Sequence, residues 1–109
     1  MVKRFIHLSP ARQRLIRLLQ NTNFGKIESL TFKGGEPILE KSVRRLREVK
    51  FGSENGSRAE DCLADFELKQ QVLDLLDFLD EKREGVIEQL EVRNGLPFRM
   101  VIVESACCL

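Results

Sequence analysis

The sequence contains no tryptophan and no tyrosine, and it has one histidine, three prolines and three cysteines in 109 residues. Each shortage narrows the function. A single histidine, His7, with no nucleophile motif makes no catalytic triad; it reads as a surface or capping residue ahead of a helix. Cys62, Cys107 and Cys108 form neither a zinc-like pair of pairs nor an even disulfide framework. Reduced thiols in a cytoplasm are therefore expected. Cys62 falls where a helix dipole would lower a thiol pKa, but its position also fits a buried helix face, the preferred reading. Cys107 and Cys108 read as exposed thiols. The tail "SACCL" has Ala106 where a prenylation box needs cysteine. No apolar run suits a secretory signal or a membrane span. The chain is arginine-rich and acid-free as far as Ile27, like a mitochondrial presequence, but the helix encoded there belongs to the pattern described below. No phosphate loop, dinucleotide fingerprint or zinc-protease helix occurs. No catalytic residue, no metal and no cofactor is expected. Without Trp or Tyr, base stacking would rest on phenylalanine alone.

What is present is 42% hydrophobic and 32% charged residues, the composition of one globular domain spanning 1–109. The net charge of +1 hides a split. Residues 1–58 hold 13 Lys/Arg and 5 Asp/Glu, so 13 − 5 = +8; residues 59–109 hold 5 and 12, so 5 − 12 = −7. Such a split suits an anion-binding face, a basic face of one copy meeting an acidic face of another, or two solvated surfaces.

Two segments nearly coincide: "GKIESLTFKGGEP" from Gly25 and "GVIEQLEVRNGLP" from Gly85. Ser9-Pro10 gives an N-cap and a first-turn proline. Leu15, Ile16, Leu18 and Leu19 then form a helical stripe that ends near Asn21–Asn23. A strand over about 26–33, a glycine turn and a strand in two pieces (37–39 and 46–51) complete a first unit, about 9–51. "GSENGSR", 52–58, is a connector. Ser57 with Glu60 makes a capping box for a helix over about 59–83. A strand over 86–93, the hairpin turn Asn94-Gly95 and a strand over 98–104 complete a second unit, about 59–104, before a tail, 105–109. The expected fold is α+β: two αββ repeats forming an antiparallel sheet with two helices packed on one face. Ile27 and Leu30 are three apart, then Leu30 and Phe32 two apart. A β-bulge near Glu28-Ser29, and again near Glu88-Gln89, lets all three face the core.

Three groups of residues are candidates for function. Glu28 and Glu88 are a symmetric acidic pair that could do acid/base work or hold a metal; capping a bulge or lying on the sheet rim is the preferred reading, so an enzyme is not expected. Arg44, Arg45, Arg47 and Lys50, with Arg12, Arg14 and Arg17 on the preceding helix, form a candidate basic patch suited to phosphate; a solvated charged face is the alternative. The second helix is apolar around more than one stripe, and the last strand is apolar on both faces: Phe98, Met100 and Ile102 on one, Val101 and Val103 on the other. Val72, Leu75, Leu76, Leu79, Val101 and Val103 are therefore the candidate interface.

Phe24-Gly25-Lys26-Ile27, a glycine turn and an apolar strand resemble the small bacterial YezD-type proteins, which read as helix, Tyr-Gly-x-Val strand, Asp-Gly turn and Val-rich strand. The likeness covers the larger part of each unit. Glu84-Gly85 replaces the aromatic-glycine pair in the second half, and one extra residue precedes Gly35 and Gly95. The resemblance implies the helix-hairpin unit and carries over no activity. The expected function is a small non-enzymatic binding module in a bacterial-type cytoplasm, with itself (as a homodimer) or another protein as partner and no membrane. Nucleic-acid binding through the basic patch is the alternative.

Overall fold

The computed structural model describes residues 4–52 and 65–104. The expected α+β class is found: among the described residues two helices lie on one face of a five-stranded antiparallel sheet. A short 3-10 turn, Phe5–His7, leads into helix α1, Pro10–Thr22. Strands β1 (Gly25–Lys33), β2 (Glu36–Ile38) and β3 (Arg44–Arg47) follow. Helix α2 (Gln70–Lys82) precedes β4 (Gly85–Arg93) and β5 (Leu96–Val103). The order is β2-β1-β4-β5, and β3 also pairs with β1. Because β4 occupies one side of β1, β2 and β3 share the other: β2 runs along Thr31–Lys33 and β3 along Gly25–Glu28.

Local chemistry sets these elements. The Ser9 hydroxyl accepts the Arg12 amide at 3.3 Å, and Pro10 opens α1. Both helices stop in the uncommon, strained form of γ-turn. Asn23 (φ 62°) and Arg83 (φ 73°) are its centres, with 2.7 Å and 2.9 Å bonds from Phe24 N to Thr22 O and from Glu84 N to Lys82 O. The central strands β1 and β4 pair so that Gly25 faces Val92 and Gly85 faces Phe32; Ile27 faces Leu90 and Ile87 faces Leu30. Equivalent positions of the two similar segments are thus exchanged by the pairing.

Alternation breaks where the spacing predicts it. Ser29 takes φ 59°, and the β4–β5 register shifts between Ile87 and Gln89. Ile27, Leu30 and Phe32 with Ile87, Leu90 and Val92 are all buried, against Leu15, Ile16 and Leu19 of α1 and Val72, Leu75, Leu76 and Leu79 of α2.

Three expectations need correction. The second piece of the outer strand runs Arg44–Arg47, not 46–51, because its partner β1 begins at Gly25, opposite Arg47. Helix α2 begins at Gln70, not near 59, because residues 65–69 are an extended strap. Phe66 and Leu68 alternate inward there; Phe66 stacks on Phe5 with centroids 4.9 Å apart, and Arg4 pairs with Glu67 in a β-bridge. Phe98 does not share a face with Met100 and Ile102. A second shift, between Glu91 and Val92, leaves Phe98 as an extra residue of β5, so Pro97 and Met100 both point to the core and Phe98 is 55% exposed. The capping box Ser57/Glu60, most of the connector, Cys62, Cys107 and Cys108 lie outside the described residues. Among the described residues no helix is long and apolar enough to cross a membrane.

Candidate functional site

The basic patch expected from sequence is dispersed. Arg12 is a structural clamp: its Nε and Nη2 donate to Gly35 O at 3.1 and 2.8 Å, and it pairs with Asp80 and, at 3.8 Å, with Glu36. It ties α1, the β1–β2 turn and α2 together. Arg17 lies over the Phe5 and Phe66 rings, 4.3 and 5.3 Å from their centroids, and donates to Gln20. Arg44 is 3.7 Å from Glu28, and Lys50 is 3.8 Å from Glu48. That leaves Arg14, Arg45 and Arg47, which are exposed; among the described residues no carboxylate lies within ion-pair distance of them. Pairing of Arg45 with Ile27 and of Arg47 with Gly25 puts these two on the helix side of the β3 edge, while Arg44, opposite Glu28, is on the other face.

The candidate interface also divides. Val72, Leu75, Leu76 and Leu79 are buried in the chain's own core, so they are not a free surface. The broad apolar band of α2 is used up by the sheet, α1 and the strap. Val101 and Val103 are 46% and 55% exposed. Glu28 sits beside Arg44 on the sheet face that no helix covers among the described residues, the uncovered face, and Glu88 is exposed at the β4 bulge. His7 is exposed in the 3-10 turn. Among the described residues no three of His, Cys, Asp and Glu are grouped to hold a metal ion.

Register places the side chains of the uncovered face in rows. One row reads Ile38, Thr31, Val86, Val103 from β2 to β5; the next reads Arg44, Glu28, Gln89, Val101; the third reads Leu46, Lys26, Glu91, Arg99. The first is apolar at both ends and the third charged. Glu91 anchors the third row, accepting from Arg99 Nε at 2.7 Å and from Arg93 Nη2 at 3.0 Å. The Arg99 hydrogen bond, then that of Arg93, holds its carboxyl below the ordinary value. Arg93 in turn stacks on Phe98, 3.9 Å from the ring centroid. Asp65 is lowered in the same way by the hydrogen bond from Arg4 Nε, which clips the N-terminal segment to the strap.

On the helix side, a cleft of about 300 Å³ lies between α2 and β5, lined by Gln71, Asp74, Leu75, Phe78 and Met100, with the bulged segment Phe98-Arg99 of β5 bordering it. The outer edge of β5 has no strand partner among the described residues. Sequence reasoning missed Lys26, Arg93 and Arg99. They are far apart in sequence, and only strand register brings them together. Compared with protein-family models, with curated proteins and with solved structures, the chain matches none.

Proposed function

We propose that this chain is a small, non-enzymatic binding module of a bacterial-type cytoplasm that self-associates through β5, forming a two-fold dimer with a continuous sheet. The observation that carries this reading is the β5 edge. Met100 to Val103 is an uncharged stretch on an outermost strand, with Val101 and Val103 half exposed. Such an edge is a template for another strand. The opposite edge is defended, since β3 is "RRLR" and two such edges repel.

A second copy fits β5 by its own pattern. Antiparallel pairing about Ile102 sets Ile102 against Ile102 on the helix side. It sets Val101 of each copy against Val103 of the other on the uncovered face. This contact is isologous and closes at two chains. Light scattering at high micromolar concentration tests it. The expected mass is twice the 12.6 kDa of one chain. Val103→Glu, which places a carboxylate on each side of the joint, should return the mass of one chain with an unchanged circular dichroism spectrum. A mass near one chain for the unaltered protein overturns the reading.

A further inference from the structure

We propose that one end of the uncovered sheet face binds single-stranded nucleic acid, stacking bases on Phe98 and Phe24 and holding phosphates with Lys26, Arg93 and Arg99. This site is separate from the β5 joint and does not depend on it.

The phenylalanines point to it first. Phe5, Phe32 and Phe66 are core, whereas Phe24, Phe98 and Phe51 are 36%, 55% and 96% exposed. Strand pairing puts Phe24 and Phe98 at the same end of the sheet, each next in sequence to a residue paired with Val92. Phe24 immediately precedes the Gly25–Val92 pair, and Arg93 immediately follows it. The neighbouring bond from Gly95 N to Asn23 O, 2.8 Å, keeps the two chain segments side by side. Phe98 is pushed out of the core by the β5 bulge and carries the Arg93 guanidinium on its ring. Lys50 Nζ stands 5.5 Å from the Phe24 ring. The bulge therefore does more than keep Pro97 and Met100 inward: it delivers an aromatic face to a cationic surface.

The charges complete the site. Lys26 and Arg99 flank Glu91 in the adjacent row. Arg93 and Arg99 are 56% and 64% exposed, while the Glu91 side chain is only 16% exposed. The carboxylate thus acts as a sunken anchor that orients both guanidiniums, and it leaves their outer N–H groups to solvent. Aromatic faces next to a cationic track are what a single strand needs, because unstacked bases pair with rings while phosphates follow the charges. A duplex keeps its base faces stacked and cannot use the rings. An acidic peptide could use the cations but gains nothing from Phe24 and Phe98.

Fluorescence anisotropy with a labelled oligouridylate of about 12 nucleotides tests the proposal. With about three phosphates neutralised, affinity should fall roughly 20-fold from about 50 to about 200 mM salt. Phe98→Ala should weaken binding about tenfold at both salt concentrations, since stacking is not screened. The double replacement Arg93→Ala, Arg99→Ala should instead flatten the salt dependence. All three side chains are exposed, and a retained circular dichroism spectrum checks each fold. No binding at the lower salt overturns the proposal, and so does equal affinity for a duplex of the same length. Equal competition by polyglutamate would mean that charge alone is recognised, which also overturns it. Loss of binding in Arg45→Ala, Arg47→Ala with Phe98→Ala unaffected would move the site to the β3 edge and overturn it as well.

Discussion

Replacing Gly25 by alanine should unfasten β3 from the sheet. A Cβ at this position would lie 2.0 Å from Leu46 O and 3.0 Å from Arg47 Cα, both backbone atoms. No side chain can swing away to make room. The backbone also holds φ 156°, which an L-residue rarely adopts. The strain alone costs on the order of 1–3 kcal/mol. Relieving the clash means giving up the nearest rungs of the β1–β3 ladder and the 2.7 Å bond from Glu48 N to Phe24 O. Two or three such bonds are worth about 1 kcal/mol each. The sum is roughly 4 kcal/mol, or a fall in Tm of about 15 °C for a domain of this size. Gly85→Ala is the matched control. Its φ is 159°, so the strain is alike, but its nearest neighbour is Phe32 Cζ at 3.2 Å, a ring that can shift by tenths of an ångström. Thermal unfolding followed by circular dichroism should show Gly85→Ala losing about half as much. Hydrogen exchange should show the amides of Leu46 and Glu48, which face β1, losing protection in Gly25→Ala only. Equal losses in the two variants, or β3 amides as protected as before, would refute the steric argument.

Three further outcomes follow from the contacts. Arg12→Ala should destabilise by about 2 kcal/mol, mostly through the lost charge-assisted bonds to Gly35 O; Arg12→Lys should recover little of it, because an ammonium cannot reproduce the fork, and urea midpoints measure both. Arg83→Gly should stabilise by about 1 kcal/mol, since an exposed residue at φ 73° and ψ −50° gives up its strain; a lower urea midpoint would contradict the γ-turn assignment. Stability should decline in acid. The carboxyls of Glu91 and Asp65 titrate below their ordinary values of 4.5 and 3.8 in the folded chain. Their contribution is therefore present above those values and is lost as pH falls through the folded-state ones. Glu91→Gln with Asp65→Asn should flatten the decline below pH about 5.

Much of the fold is legible in the sequence because its signals are local. Ser9-Pro10 starts α1, Asn94-Gly95 turns the second hairpin, and the three-residue step from Ile27 to Leu30 announces a bulge. What was not legible depends on distant partners. "DFELK" before α2 sits beside a long helical pattern, but Phe66 finds the Phe5 ring and the Arg17 guanidinium. That contact favours period two over period 3.6 there. Phe98 reads as core by alternation until Pro97, opposite buried Val92, takes the inward place. The basic run fared worst for a similar reason. Arginines close in sequence were drawn to different partners, two of them into the fold itself. The cations that do cluster, Lys26, Arg93 and Arg99, come from opposite ends of the chain and meet only through β1–β4 and β4–β5 pairing.

The two edges of the sheet differ for a reason that bears on both proposals. Gly25 and Gly85 match in φ, as do Gly34-Gly35 and Asn94-Gly95, and the β1–β4 register sets Gly25 opposite Val92 and Gly85 opposite Phe32. From this shared centre the chain leaves differently on each side. After Gly35 it forms three residues of strand, breaks, and returns as the arginine-bearing β3; after Gly95 it runs unbroken for eight residues. The break costs ladder bonds but leaves an edge that is short and charged, which resists pairing. The unbroken strand gains ladder bonds and exposes an apolar edge. Its single irregularity, at Phe98, stops continuous pairing toward Leu96 and turns a ring toward Arg93. A joint along β5 is thereby confined to the Met100–Val103 end. The Phe98 end, with Arg93 and Arg99, stays open to a ligand even when two copies are paired.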